Sequence, residues 1–318
     1  MSALPKIPMR PILVRVALLV GDDPEVEEQL RSTLGDGSWA VQHAFNNATA
    51  LVMAVTRNLD LILTSQKTSG REDVELLRKL RLVRPHTRLI ILAEESTPAD
   101  IISSMREHAF SYFSKPIAPG ALPAMIRHAI EEPCWDDGID VLSATPEWIR
   151  ILARCDVRTA DRVLQFFDEI SELPHAEKSA VGMAFREMLM NAIEHGGDLD
   201  PGRQVEISYL RVCHMVACHI TDPGEGFTLD EIPHAAIANP EDDPLRHAEY
   251  REVKGMRPGG FGVLLAQRLV DDLVYNEQGN EVVLIKYLNP EPCASPGGNA
   301  SAADGHKNDD SFATNDRK

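Results

Sequence analysis

Glu187-Met188-Leu189-Met190-Asn191-Ala192-Ile193-Glu194-His195-Gly196 is the stretch that decides the fold of the C-terminal half. It closes a long amphipathic run that predicts a helix over His175 to His195. Glu187 and Asn191 stand one turn apart and share a helix face. A carboxylate beside a carboxamide oxygen is suited to polarising a nucleophilic hydroxyl and to holding Mg²⁺, an ion that prefers oxygen ligands. Taken alone, the pair fits a solvated polar stripe opposite Met188, Leu189 and Ala192 equally well. Gly196-Gly197 provides the helix stop. His195 invites a metal or phospho-acceptor reading, but no second His or Cys lies at ligand spacing.

Two glycine-bearing motifs follow in order. Thr221-Asp222-Pro223-Gly224-Glu225-Gly226-Phe227 comes directly after an apolar strand. A carboxylate at a strand end can accept a hydrogen bond from an adenine amine, and Gly224 and Gly226 permit the tight backbone path beneath the base. A surface turn is the plainer reading of its Pro-Gly. Pro258-Gly259-Gly260-Phe261-Gly262-Val263-Leu264-Leu265 leads into a helix ending near Leu269. Glycine-rich backbone at a helix N-terminus offers unpaired N–H groups and a positive dipole end to phosphate. Each motif alone is weak evidence, and their order carries the weight.

Together the three motifs resemble, in order, the N, G1 and G2 boxes of the GHKL ATPase superfamily, and most closely its bacterial anti-sigma-factor serine kinases. The resemblance implies an α+β layer sandwich binding ATP and Mg²⁺. It implies Glu187 as the catalytic carboxylate and Asn191 as the magnesium ligand. Asp222 would read adenine, and Gly224, Gly226, Gly259, Gly260 and Gly262 would line the nucleotide. The polar stretch from His234 to Arg257 would form the ATP lid, with Lys254 reaching the γ-phosphate. A His before Gly at the helix end is common in that family, so His195 is assigned no further role.

The first half alternates short aliphatic runs with amphipathic segments, as a parallel sheet with crossover helices does. Strands are predicted at Ile12 to Val20, Ala40 to His43, Leu61 to Thr64, Leu89 to Leu92 and Ser111 to Phe113. Helices are predicted at Pro24 to Leu34, Asp73 to Val83 and Ala99 to Glu107. This is a flavodoxin-like α/β domain, whose ligands gather at the carboxyl ends of the strands. Ala17-Leu18-Leu19-Val20-Gly21-Asp22-Asp23-Pro24, with Asp60 to Leu63 and Lys115-Pro116, resembles the receiver domain of response regulators. In that family an acidic pair holds Mg²⁺ and an Asp accepts the phosphoryl group, with a Thr or Ser and a Lys completing the set. Asp22, Lys115 and the aromatic Tyr112 match. Gly21, Ser65 and Ala93 stand where the first acid, the acceptor and the switch hydroxyl belong. A neutral hydroxyl at Ser65 is neither a metal ligand nor an anionic nucleophile, so the resemblance implies a pseudo-receiver. Asp22 and Lys115 read as a relict ion pair, or as part of a docking surface near Tyr112.

The organisation read from these patterns is an N-terminal tail (1–11), a degenerate receiver (12–132), a linker (133–138), the ATP-binding domain (139–288) and a disordered tail (289–318). In the second domain helices are predicted at Thr159 to Ile170 and His175 to His195. Strands are predicted at Val205 to Leu210, Met215 to Thr221 and Val282 to Tyr287. The 318 residues suit about two domains. The formal net charge of -17 argues against nucleic acid as a partner. Ile12 to Val20 is too short and too interrupted to cross a bilayer. The five cysteines are scattered, without C-x-x-C pairing, for which a reducing cytoplasm is the simplest setting. The segment Pro133 to Glu147 is too short for a phospho-acceptor helical hairpin, so the acceptor is expected on another protein. The sequence therefore reads as a serine/threonine protein kinase regulating a sigma factor, an antagonist or another signalling protein. Homodimerisation is implied by both resemblances. The alternative is a non-catalytic scaffold whose lid nucleotide orders.

Overall fold

The computed structural model describes residues 14–35, 37–65, 70–131, 138–228, 235–239, 243, 245–254 and 260–288. The first half runs β1 (Arg15–Val20), α1 (Pro24–Leu34), β2 (Trp39–Ala44), α2 (Asn47–Thr56), β3 (Leu61–Thr64), α3 (Gly70–Val83), β4 (Arg88–Ala93), α4 (Pro98–Arg106), β5 (Ser111–Ser114) and α5 (Ala121–Glu131). The five strands form a parallel sheet in the order β2-β1-β3-β4-β5. Helices cover both faces of such a sheet, which is why Ala17–Val20 and Leu61–Leu63 are apolar without alternation and fully buried. Local chemistry sets the helix starts. Asp23 caps α1 by accepting from the Val26 amide at 3.1 Å, with Pro24 at the first helical position. Thr97 and Asp100 form a reciprocal capping box on α4.

The second half contains β6 (Ile139–Ala144), β7 (Trp148–Arg154), α6 (Val157–Ile170), α7 (His175–Asn191), β8 (Gln204–Val212), β9 (Met215–Thr221), α8 (Arg246–Val253), α9 (Gly262–Leu269), β10 (Asp272–Tyr275) and β11 (Glu281–Tyr287). Its strands make an antiparallel sheet in the order β10-β11-β9-β8-β7-β6. The buried side chains of β7 are Ile149, Ile151 and Ala153, and those of β9 are Val216, Cys218 and Ile220. With period 2 they place one sheet face against the helical layer. Phe166 and Phe185 from α6 and α7 are fully buried there. The fold is thus α/β followed by α+β. β6, β7 and β10 are additions to the strands read from sequence. Cys213, in the β8–β9 turn, is disulfide-bonded, which the scattered cysteine spacing did not signal.

α6 also lies across β5, the edge strand of the first sheet. Arg162 is only 3% exposed, and its Nε donates to the Phe110 carbonyl at 2.7 Å while the guanidinium stacks over the Phe110 ring. Gln165 donates to the Tyr112 carbonyl at 3.2 Å, and the Ser114 amide donates to Glu169 at 2.9 Å. Side chains of one half thus satisfy an exposed strand edge of the other. The Tyr112 ring itself is wholly buried, so a docking surface near it involves its backbone and not its ring. Replacing Arg162 with Leu strands the Phe110 carbonyl and removes the stacked cation. The urea midpoint is expected to fall by an amount worth about 1–3 kcal/mol, and an unchanged midpoint would show that this contact does not hold the halves together.

Candidate nucleotide site

α7 continues past Asn191 as one turn of π-helix, Ala192–Gly196. Such wide turns cluster at functional sites, because they re-aim the side chains at the helix end. This one brings Gly196 against Asp222, which follows β9. A Cβ on Gly196 would collide with the Asp222 carboxylate, and one on Gly224 would lie 2.8 Å from Asp222 Oδ1. Only glycine fits at either place. Asp222 Oδ1 also accepts from the Gly224 amide at 2.8 Å, and the Asp222 amide donates to the Asn280 carbonyl. Half-buried, the Asp222 carboxyl is pushed up from its ordinary value by desolvation, a shift that the Gly224 hydrogen bond opposes. Gly226 sits at φ +82 against the Gln278 carbonyl, a conformation and a closeness that exclude a side chain.

The opposite wall comes from α7 and the start of α9. A Cβ on Gly262 would stand 2.7 Å from Glu187 Oε2 and 3.7 Å from Asn191 Nδ2. The N-terminal turn of α9 therefore lies directly over the two polar side chains. These elements enclose a cavity of about 670 Å³ lined by Glu187, Asn191, Asp222, Gly224, Gly226, Gly260 and Gly262, among others. That volume is in the range of small-molecule sites. Phe227 and Tyr275, in edge-to-face contact at 5.2 Å, close one side.

Several residues fit a nucleotide with its metal. The half-buried carboxylate of Asp222 is an acceptor aimed at the end where backbone approaches most closely. Glu187 and Asn191 offer oxygens at the other end, beneath a helix N-terminus. No cluster of three or more His, Cys, Asp or Glu suited to a metal exists among the described residues.

Two sequence expectations are corrected. Lys254 does not line the cavity; it is exposed at the end of α8, its ammonium 5.9 Å from the Tyr250 ring. Among the described residues, Arg251, one turn earlier, and Arg186 on α7 are the Lys or Arg side chains that do. Described residues of the segment that the sequence reads as the lid pack on the glycine motif. The Ala236 amide donates to the Gly260 carbonyl, and the buried His247 ring meets Phe261 edge to face. Asn239 holds His247 through its amide at 2.9 Å and its ring at 2.7 Å. Gly259 and Arg257 lie outside the described residues. His195 is exposed at the cavity rim.

The second correction concerns the first half. Lys115 pairs with Asp23 and not with Asp22, which is exposed. Its ammonium lies 2.7 Å from Asp23 Oδ2 and 3.0 Å from Ser65 Oγ, and Ser65 donates to the same carboxylate oxygen at 2.7 Å. Gly21, at φ +108, turns the chain so that the α1 cap residue faces the strand ends. Desolvation raises the Asp23 carboxyl, but hydrogen bonds from Lys115, Ser65 and the Val26 amide outweigh it and leave the group below its ordinary value. Ala93 ends β4 without a hydroxyl.

Two family models match the chain. Residues 17–127 match the family model of the response regulator receiver domain, and residues 152–286 match that of the histidine kinase-like ATPase domain. The chain joins a receiver domain to a GHKL-type ATPase domain. Serine-protein kinase RsbW of Oceanobacillus iheyensis is 25% identical over 149 residues, covering 46% of this chain and 84% of that protein. Transcriptional regulatory protein GlrR of Escherichia coli K12 is 25% identical over 141 residues, 42% of this chain but 31% of its own length. KdpE, the KDP operon regulator of the same organism, is 30% identical over 113 residues, 36% of this chain and 50% of its own. The chain thus spans half or less of these two regulators. A response regulator structure from Thermotoga maritima is 21% identical, covering 38% of this chain and all of its own, with a TM-score of 0.32. Among the described residues no helix is long and apolar enough to cross a membrane.

Proposed function

We propose that the protein is an ATP- and Mg²⁺-dependent serine/threonine protein kinase of the anti-sigma-factor type, acting on a separate protein. Its receiver domain, divided from the ATPase domain at residues 133–138, serves as a docking or regulatory module that takes no phosphoryl group. The observation that carries the reading is the convergence of Glu187, Asn191 and Gly262 at one end of the cavity and Asp222 at the other. The similarity to serine-protein kinase RsbW supports it.

In this reading Asp222 accepts from the adenine amine, and the glycines at 196, 224, 226 and 260 let backbone lie against the nucleotide. Glu187 takes the proton of a seryl hydroxyl as its oxygen attacks the γ-phosphorus, and ADP departs as the bond to the β-phosphate oxygen breaks. Asn191 would be the protein ligand of Mg²⁺, whose contribution is to offset phosphate charge. In the receiver, Ser65 supplies no anionic nucleophile, and Lys115 is already engaged by Asp23. The partner is a signalling protein such as a sigma factor or its antagonist.

The test is to incubate the full chain with γ-labelled ATP and a candidate antagonist. An acid-stable, alkali-labile label on the antagonist is the expected outcome, as a seryl or threonyl phosphoester gives. An acid-labile label, as phosphohistidine gives, would contradict the serine/threonine assignment.

A further inference from the structure

Arg186 stands immediately before Glu187 and lines the cavity, yet it is engaged elsewhere. Its Nη1 lies 3.4 Å from Asp161 Oδ1 on α6. The second oxygen of that carboxylate, Oδ2, lies 3.7 Å from Nε2 of His128 on α5 of the receiver. Asp161 is thus shared between a cation at the nucleotide cavity and an imidazole on the other domain. One turn back along α6, Arg158 faces Glu131 of α5 at 3.7 Å, so α6 meets α5 through two polar contacts. On its other side α6 is coupled to α7 by the stacked rings of Phe167 and Phe185, 4.4 Å apart.

We propose that Arg186 is a switched phosphate contact. With ATP in the cavity its guanidinium leaves Asp161 for the terminal phosphate, and Asp161 turns to His128 of the receiver domain. The inference rests on the nucleotide reading above and adds a residue and a coupling that the three boxes do not contain.

Three observations place the switch. Asp222 and Gly196 mark the base end of the cavity and Glu187 lies nine residues back along α7, about 13 Å at helical rise. Arg186 is therefore at the phosphate end. The Arg186 side chain is 56% exposed, and ion pairs so exposed hold weakly, so a multiply charged phosphate outcompetes a single carboxylate. Arginine is moreover suited to two-pronged recognition of phosphate oxygens. Finally, Nε2 of His128 already faces Asp161 Oδ2 at 3.7 Å, so a small rotation of the freed carboxylate brings the two into hydrogen-bond range.

The experiment is calorimetry on the full chain with ATP and with ADP, both with magnesium. Arg186→Gln is expected to weaken ATP about tenfold or more while changing ADP by less than about threefold. Asp161→Asn is expected to tighten ATP in the natural background and to do nothing in the Arg186→Gln background, because its effect runs through Arg186. Hydrogen exchange in α5 is expected to change on ATP addition, and not to change in Arg186→Gln. Equal losses for ATP and ADP, an Asp161→Asn effect that survives without Arg186, or α5 exchange indifferent to ATP would each overturn the proposal. If the natural chain took up neither nucleotide, the ATP reading would itself fail and the switch with it. Uptake of both with no preference lost in Arg186→Gln would sink the switch alone.

Discussion

Glu187→Gln is expected to slow phosphoryl transfer to the partner protein by about 10²–10⁴-fold, the usual contribution of a positioned general base. Nucleotide affinity should stay within a few-fold of the natural chain. Gln keeps the shape that Gly262 approaches so closely, so the α9 N-terminus need not move. What is lost is proton acceptance. The variant should therefore fill with nucleotide and stall, a drop in kcat without a matching rise in KM. Transfer at the natural rate would remove Glu187 from the mechanism and favour a cavity that binds without chemistry.

Asp222→Asn should act on binding instead. The Asn side-chain oxygen can still accept from the Gly224 amide, so the turn after β9 survives. Its NH₂ group, however, would face the adenine amine donor to donor. A loss of about 10–100-fold in ATP affinity follows from removing a charged hydrogen-bond partner. GTP, which presents a carbonyl oxygen at the same place on the base, should lose less. The pH dependence carries two opposite signs. Because burial raises the folded carboxyl above its unfolded value of 3.8, its contribution to stability is fully present below that value and is lost as pH rises through the folded one. ATP binding needs the ionised form and so weakens as pH falls toward the folded value. Asn carries no charge to bury, so the variant should bind ATP less tightly while being no less stable at neutral pH. Tight ATP binding by the variant would show that Asp222 does not read the base.

Much of the architecture was legible because its signals are local. The runs at Leu61–Thr64 and Met215–Thr221, and the helix Pro24–Leu34 behind its Asp23 cap, stand in the structure where the pattern places them. β7 escaped because Trp148 and Leu152 place apolar side chains on its outer face beside Arg150 and Arg154, which blurs the polar half of its alternation, and β10 because it is only partly buried and lacks the continuous apolar run that makes the equally short Leu61–Thr64 legible. The cavity walls were legible as three motifs, since each is a short contiguous string whose glycines answer a local backbone need. What failed was anything decided by tertiary approach. Asp23 and not Asp22 meets Lys115 because of the backbone angle at Gly21. Arg251 and not Lys254 lines the cavity, on a helix whose His247 packs against Phe261 of the glycine motif. The docking of α6 on β5 joins positions more than 50 residues apart through side chain to backbone bonds, which leave no periodic trace. The π-turn at Ala192–Gly196 reads in sequence like any helix end.

Calorimetric titration of the full chain with ATP and magnesium is the most direct measurement of the central claim, that Asp222, Asn191 and the glycine rim form a nucleotide cavity. Saturable one-to-one uptake of ATP, weakened by Asp222→Asn, is the result expected. No uptake of ATP at millimolar concentration by the well-folded natural chain would contradict it.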